Sequence, residues 1–65
     1  MNWIAKTNGR EIWAINPKQT TKRKCPTLLK NVESVVCEGN QINIVTEDGR
    51  VRVWDLHTDT VRVIM

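Results

Sequence analysis

Cysteine and histidine are scarce in this 65-residue sequence, in which Cys25, Cys37 and His57 are the only examples. A structural zinc site needs about four such ligands, often with CxxC spacing, and this set does not supply them. Two cysteines also make no disulfide framework of the kind found in small secreted domains, so we expect free thiols. The composition therefore predicts neither a metal nor another cofactor.

Long apolar runs are also absent. No stretch approaches the 18 residues of a membrane-spanning helix, and the first residues lack the apolar region and cleavage motif of a secretory signal. We therefore expect no membrane association and a cytoplasmic location. A chain of this length makes one small domain, residues 1–65, which buries only about 60% of its unfolded surface and needs a compact core or a partner.

Groups arranged for catalysis are missing too. The sequence has no glycine-rich phosphate loop and no nucleophile–base pair. The acidic residues Glu47, Asp48 and Asp59 all fall at predicted turns, where water solvates them. His57 lies beside Asp59, but histidine and aspartate are ordinary turn residues. The sequence thus predicts a protein that is not an enzyme.

Short β-strands joined by turns dominate what is present. In the C-terminal half, four alternating segments are separated by Gly39-Asn40, Asp48-Gly49 and Thr58-Asp59, and Asn8-Gly9 predicts a further hairpin near the N-terminus. The connection over residues 17–31 contains two prolines, which argue against a central strand there. These signals predict an all-β fold, an antiparallel meander of five to six strands that forms a small barrel, a roll or a sheet like a propeller blade.

Two-residue turns fix a register for these strands. They place Lys6 opposite Glu11, Cys37 opposite Ile42 and Val35 opposite Ile44 in the first two hairpins. They place Ile44 opposite Val53 and Asp55 opposite Arg62 in the next two. One face then holds the predicted core, which consists of Val35, Cys37, Ile42, Ile44, Val51, Val53 and Ile64.

The opposite face is unexpectedly apolar in this register. It contains Val32, Val36, Val45, Trp54, Leu56, Val61, Val63 and Met65, whereas a wet sheet face should be polar. The N-terminal hairpin can cover only one face well, so a second subunit or another protein is expected on the rest. The candidate interface consists of Trp54, Arg52, Leu56, Val61 and Val63, and the expected state is a homo-oligomer.

A basic stretch provides a different candidate. Lys18, Lys22, Arg23, Lys24 and Lys30 lie in a segment without acidic residues, and lysine and arginine bind nucleic-acid phosphates. The three tryptophans, Trp3, Trp13 and Trp54, are either core and interface anchors or platforms on which bases stack. The alternative interpretation of the basic stretch is a solvated loop that keeps a small β-protein soluble.

Residues 32–65 resemble one blade of a WD-repeat-like β-propeller. The segment GNQINIVTEDGRVRVWDL contains the turn between the middle strands, Asp48-Gly49, and the dipeptide Trp54-Asp55 that ends the third strand. TNGREIWAINP is similar to the middle of such a blade. The Gly-His dipeptide of a WD repeat has no counterpart here. The resemblance implies an interaction scaffold whose blade is covered on both sides, and ring closure would need several chains.

Together these patterns predict a non-catalytic binding module that self-associates through the second apolar face. The alternative prediction is a small nucleic-acid-binding β-barrel that uses the basic segment of residues 18–30.

Overall fold

Two antiparallel sheets make up the computed structural model, which describes residues 3–27 and 29–65. The first sheet contains β1 (Ile4–Thr7), β2 (Ile12–Asn16) and β3 (Thr21–Lys24) in that order. The second sheet contains β4 (Val32–Glu38), β5 (Gln41–Thr46), β6 (Val51–Asp55) and β7 (Thr60–Val63), also in chain order. The all-β antiparallel class is confirmed.

Two finer predictions about the architecture, the strand count and the closed barrel, are not confirmed. The described residues form seven strands rather than five or six, and the two sheets do not close into a barrel. The connection over residues 17–31 contains β3. A strand is compatible with this proline-containing connection because β3 lies at the edge of its sheet and pairs on one side only. Within that connection Leu29 is buried, and Leu28 lies outside the described residues. No helix in the described ranges is long and apolar enough to cross a membrane.

The core lies between the inner faces of the two sheets. Alternate residues of β2 and β5 point inward, so Ile12 and Ala14 pack in one cluster with Ile42 and Ile44. The remaining buried members of the cluster are Cys25, Leu29, Trp54 and Leu56. Trp3, Ala5, Val32, Val35, Cys37 and Val61 pack around its margin. The first sheet, and not a second subunit, therefore covers Trp54.

The turn between β5 and β6 explains why Trp54 lies in the core and not on the opposite face, where the predicted register places it. It is a three-residue loop, Glu47 to Gly49, in which the Gly49 N–H donates to the carbonyl of Thr46 at 2.9 Å. Gly49 has φ of +84°, as the left-handed position after a type I turn requires. Ile44 consequently pairs with Arg52, not with Val53.

That slip of one residue turns β6 over. Because side chains alternate, an odd shift moves every residue of the strand to the other face. Trp54 pairs with Ile42 and joins the core, while Val51 and Val53 move to the outer face. β7 follows β6, because Val61 pairs with Trp54.

The other turns shift the register by an even number of residues or not at all. The Gly39-Asn40 hairpin is as predicted, with Cys37 opposite Ile42 and Val35 opposite Ile44. Lys6 pairs with Trp13 instead of Glu11, and Arg62 pairs with Val53 instead of Asp55. Even shifts change the partners and preserve the faces.

Side-chain capping causes both of those even shifts. Asn8 Oδ1 accepts the N–H groups of Arg10 and Glu11 at 3.0 and 2.8 Å, which makes Asn8 the first residue of its turn and not a central one. Asp55 Oδ1 accepts the N–H groups of His57 and Thr58 at 2.8 and 3.3 Å in the same way. Both loops are lengthened as a result.

Candidate functional site

The outer face of the first sheet carries a group of lysines around one tryptophan. Because Ile12 and Ala14 point inward, Trp13 points outward from β2. Lys6 of β1 and Lys24 of β3 are its partners on either side, and Lys22 lies one row away, opposite Ile15. We call the surface formed by Lys6, Trp13, Lys22 and Lys24 the lysine face.

The lysines of β3 lie over the indole ring. The ammonium nitrogen of Lys22 is 5.1 Å from the Trp13 ring centroid, and that of Lys24 is 5.8 Å away. Both distances are within the range of cation–π attraction. The hydrocarbon stems shield the half-buried ring, and the charged ends stay exposed to solvent. The arrangement holds positive charge at the outer surface of the first sheet.

One carboxylate reduces the charge of this face. Glu11 forms an ion pair with Lys24, and the hydrogen bond and charge of that lysine hold the pKa of Glu11 below its ordinary value. In the described part of the chain, neither Lys6 nor Lys22 forms an ion pair. The lysine face therefore keeps about two uncompensated positive charges.

Arg23 lies on the other side of β3, because it alternates with its two lysine neighbours. Its Nη1 donates to the carbonyl oxygen of Leu56, and its guanidinium carbon lies 5.9 Å from the ring centroid of Trp3. Here the two sheets border an open cavity of about 220 Å³. It is lined by Trp3, Gln19, Arg23, Asn40, Leu56 and His57, and we call it the arginine cavity.

The five cations predicted from the sequence thus lie in four different places. Lys22 and Lys24 belong to the lysine face, and Arg23 belongs to the arginine cavity. Lys18 is exposed in the turn before β3. Lys30 lines a separate cleft together with Arg10, near the turn between β1 and β2.

Lys6 is the member of the lysine face that sequence reasoning missed. The two-residue turn at Asn8-Gly9 paired it with Glu11, which made it look like half of a neutral cross-strand pair. The capping side chain of Asn8 is the signal that would have moved Lys6 opposite Trp13.

The structure separates the residues of the predicted self-association face, two of which are buried. Trp54 and Leu56 are buried, and the indole Nε1 of Trp54 donates to Asp59 Oδ1 at 3.0 Å. Arg52 donates to the hydroxyl of Thr46 at 2.9 Å. Val61 is half-buried at the core margin, and Val63 is 53% exposed. The incorrect register had placed these residues on an uncovered face.

The residues that do occupy the outer face of the second sheet are smaller. Val45 pairs with Val51, and Val53 lies in the next row between Asn43 and Arg62. Val36 is the most exposed of these valines, at 53%. This outer face is apolar in its middle, where Val53 is buried, and the described residues place no aromatic side chain on it.

Thiol chemistry has little support in this geometry. Both cysteines are free. Burial raises the pKa of the Cys25 thiol, and it also raises the pKa of the Cys37 thiol. A raised pKa keeps a thiol protonated and weakly nucleophilic. Among the described residues, no group of three histidine, cysteine or acidic side chains could hold a metal ion.

Comparisons with protein-family models, with curated proteins and with solved structures give no match to this chain. The second sheet is a four-stranded antiparallel meander, a topology that a propeller blade shares with many other β-proteins. The propeller resemblance stays a prediction, and the function has to be argued from the side chains.

Proposed function

We propose that this protein is a non-catalytic binding module that holds the phosphate backbone of nucleic acid on its lysine face. The observation that carries this proposal is the clustering of Lys6, Lys22 and Lys24 around Trp13 on one outer sheet surface. Such lysines neutralise phosphates without reading base sequence. The net charge of the whole chain, +3, favours approach of the same kind of partner.

The structure of the face favours weak binding that depends strongly on salt. Three lysines, one of them shared with Glu11, can contact two or three phosphates. For a single strand the logarithm of the affinity should then fall with the logarithm of salt concentration with a slope of about −1.4 to −2.1. Bases can add stacking energy only after the lysine stems move away from Trp13.

Fluorescence anisotropy with labelled single-stranded and duplex oligonucleotides tests this proposal. The double variant Lys22→Gln/Lys24→Gln should weaken binding to every sequence and reduce the single-strand slope to about −0.7, which corresponds to one remaining contact. Arg62→Gln is the matched control, because it removes one exposed cation from the outer face of the other sheet. Absence of binding at low salt would refute the proposal, as would equal weakening by Arg62→Gln.

Self-association is a second candidate function, now through a different surface. It is favoured by the exposure of Val36 on the outer face of the second sheet, beside the half-buried Val45 and Val51. Sedimentation equilibrium at increasing concentration tests it, with Val36→Thr expected to shift the equilibrium toward monomer. A strict monomer at the highest concentration would reject this candidate without affecting the lysine face.

A further inference from the structure

The arginine cavity has walls rich in hydrogen-bond donors. Arg23, Gln19, Asn40 and His57 all line it, and each carries N–H groups in its side chain. None of its lining residues in the described part of the chain is acidic. A cavity with this lining is suited to a ligand with several acceptor atoms and negative charge.

Arg23 is already held in position without a ligand. One Nη1 N–H is used by the Leu56 carbonyl, and the Trp3 ring supports the guanidinium group at 5.9 Å. A guanidinium has five N–H donors, so several are left for an anion. A side chain ordered beforehand loses less conformational entropy when it binds.

Trp3 adds a second feature to this wall. Its indole Nε1 is buried, and no acceptor among the described residues reaches it. Buried donors are normally satisfied by protein or by water. Trp3 therefore contributes its ring to the wall beside Arg23, whereas its Nε1 lies below the solvent-accessible surface.

The volume of the cavity restricts the size of the group that it can enclose. At about 220 Å³ it is smaller than the roughly 300–1,000 Å³ of cavities that enclose drug-sized ligands. A phosphate group presents three strong acceptor oxygens, and planar guanidinium groups bind such oxygens in pairs. We propose that the arginine cavity binds a phosphate monoester, either free as a nucleotide or at the end of a strand.

This inference goes beyond the proposed function and does not depend on it. The lysine face and the arginine cavity lie on opposite sides of β3, and they share no lining residue. A polyanion could therefore fail to bind the first while a phosphate monoester binds the second, and the reverse also holds.

Two-dimensional ¹H–¹⁵N NMR of the three indole N–H groups separates the two sites. Trp3 reports the arginine cavity, Trp13 the lysine face, and Trp54 the core, where its N–H is bonded to Asp59. Inorganic phosphate and a nucleoside 5′-monophosphate should each shift the Trp3 resonance saturably and leave Trp54 unchanged. Oligonucleotides with and without a 5′-phosphate show whether the ligand is a strand end or a free nucleotide. If it is a strand end, the phosphorylated oligonucleotide should shift the Trp3 resonance more than the unphosphorylated one.

Variants of the lining residues test whether phosphate binds in the arginine cavity. Arg23→Ala should weaken phosphate binding about tenfold or more, because it removes charge-assisted hydrogen bonds, and Arg23→Lys should restore only part of the affinity because it lacks the fork geometry. Arg62→Ala is the matched control and should leave phosphate affinity unchanged. His57→Ala, in an exposed turn, provides a second variant that leaves the strands intact and should also weaken binding.

Three results would overturn the proposal. The first is a Trp3 resonance that does not move with phosphate in the unmodified protein. The second is an equal shift with chloride or acetate at matched ionic strength. The third is unchanged phosphate affinity in both Arg23→Ala and His57→Ala.

Discussion

Replacement of Trp54 tests the register that distinguishes this structure from the simplest interpretation of its turns. Trp54 has no exposed surface, and it packs in the cluster that joins the two sheets. Its Nε1 also donates to Asp59. Trp54→Ala removes the packing and the hydrogen bond together, whereas Trp54→Phe keeps an aromatic ring and removes the hydrogen bond.

The expected magnitudes follow from these contacts. Truncation of a buried tryptophan to alanine costs about 3–5 kcal/mol, and a domain of this size is stable by only about 3–10 kcal/mol. The alanine variant should therefore be largely unfolded. Trp54→Phe should cost about 1–2 kcal/mol, because it leaves a smaller cavity than alanine does and because water can replace the lost donor at the exposed Asp59.

Urea denaturation followed by circular dichroism measures these differences. With a slope near 1 kcal/mol per molar, typical of a very small protein, Trp54→Phe should lower the midpoint by about 1–2 M. Val51→Ala is the control, because Val51 lies half-buried on the outer face of the same strand and should cost about 1 kcal/mol or less. In the register with a two-residue turn, Val51 belongs to the core and Trp54 does not. If Val51→Ala proved more destabilising than Trp54→Ala, the three-residue loop would be refuted.

Three further outcomes can be measured. A Cβ at Gly49 would meet no atom within 4 Å, so Gly49→Ala should lower the free energy of unfolding by about 1–2 kcal/mol through backbone strain alone. Gly49→Asn should lower it less, because asparagine tolerates positive φ. Equal urea midpoints for the two variants would contradict this prediction. Lys24 lowers the pKa of Glu11 from 4.5, so the contribution of this carboxylate to stability is present above pH 4.5 and is lost as the pH falls through the lower folded value. The urea midpoint of Glu11→Gln should therefore fall less on acidification than that of the unmodified protein, and parallel curves would argue against the ion pair. Cys25 is buried more deeply than Cys37, so a thiol reagent should modify Cys37 first in the native protein, and the reverse order would contradict the placement of Cys25 in the core.

Alternation within single strands was the most informative part of the sequence. It puts Ile12 and Ala14 on one face of β2 and Trp13 on the other, because side-chain direction along a strand has a period of two whatever the strand pairs with. The glycine turn at Gly39 likewise predicted the pairing of β4 with β5. These are local properties, and local sequence determines them.

The pairing between other strands depended on side chains outside the turn centres. Asn8 and Asp55 accept the N–H groups that follow them, so each begins a longer loop than the dipeptides Asn8-Gly9 and Thr58-Asp59 predict. Both shifts are even, which is why the faces survived while the partners of Lys6 and Arg62 changed. The composition of the lysine face was therefore only half predictable.

The sequence by itself determined the all-β class, the positions of most strands and which residues within one strand share a face. Only the tertiary structure decided which way β6 faces, because Asp48-Gly49 is compatible with a two-residue or a three-residue loop and the two differ by one residue in register. Burying Trp54 beneath the first sheet favours the longer loop. The same packing brings Trp3, Arg23 and His57, which are far apart along the chain, to the edge of one cavity.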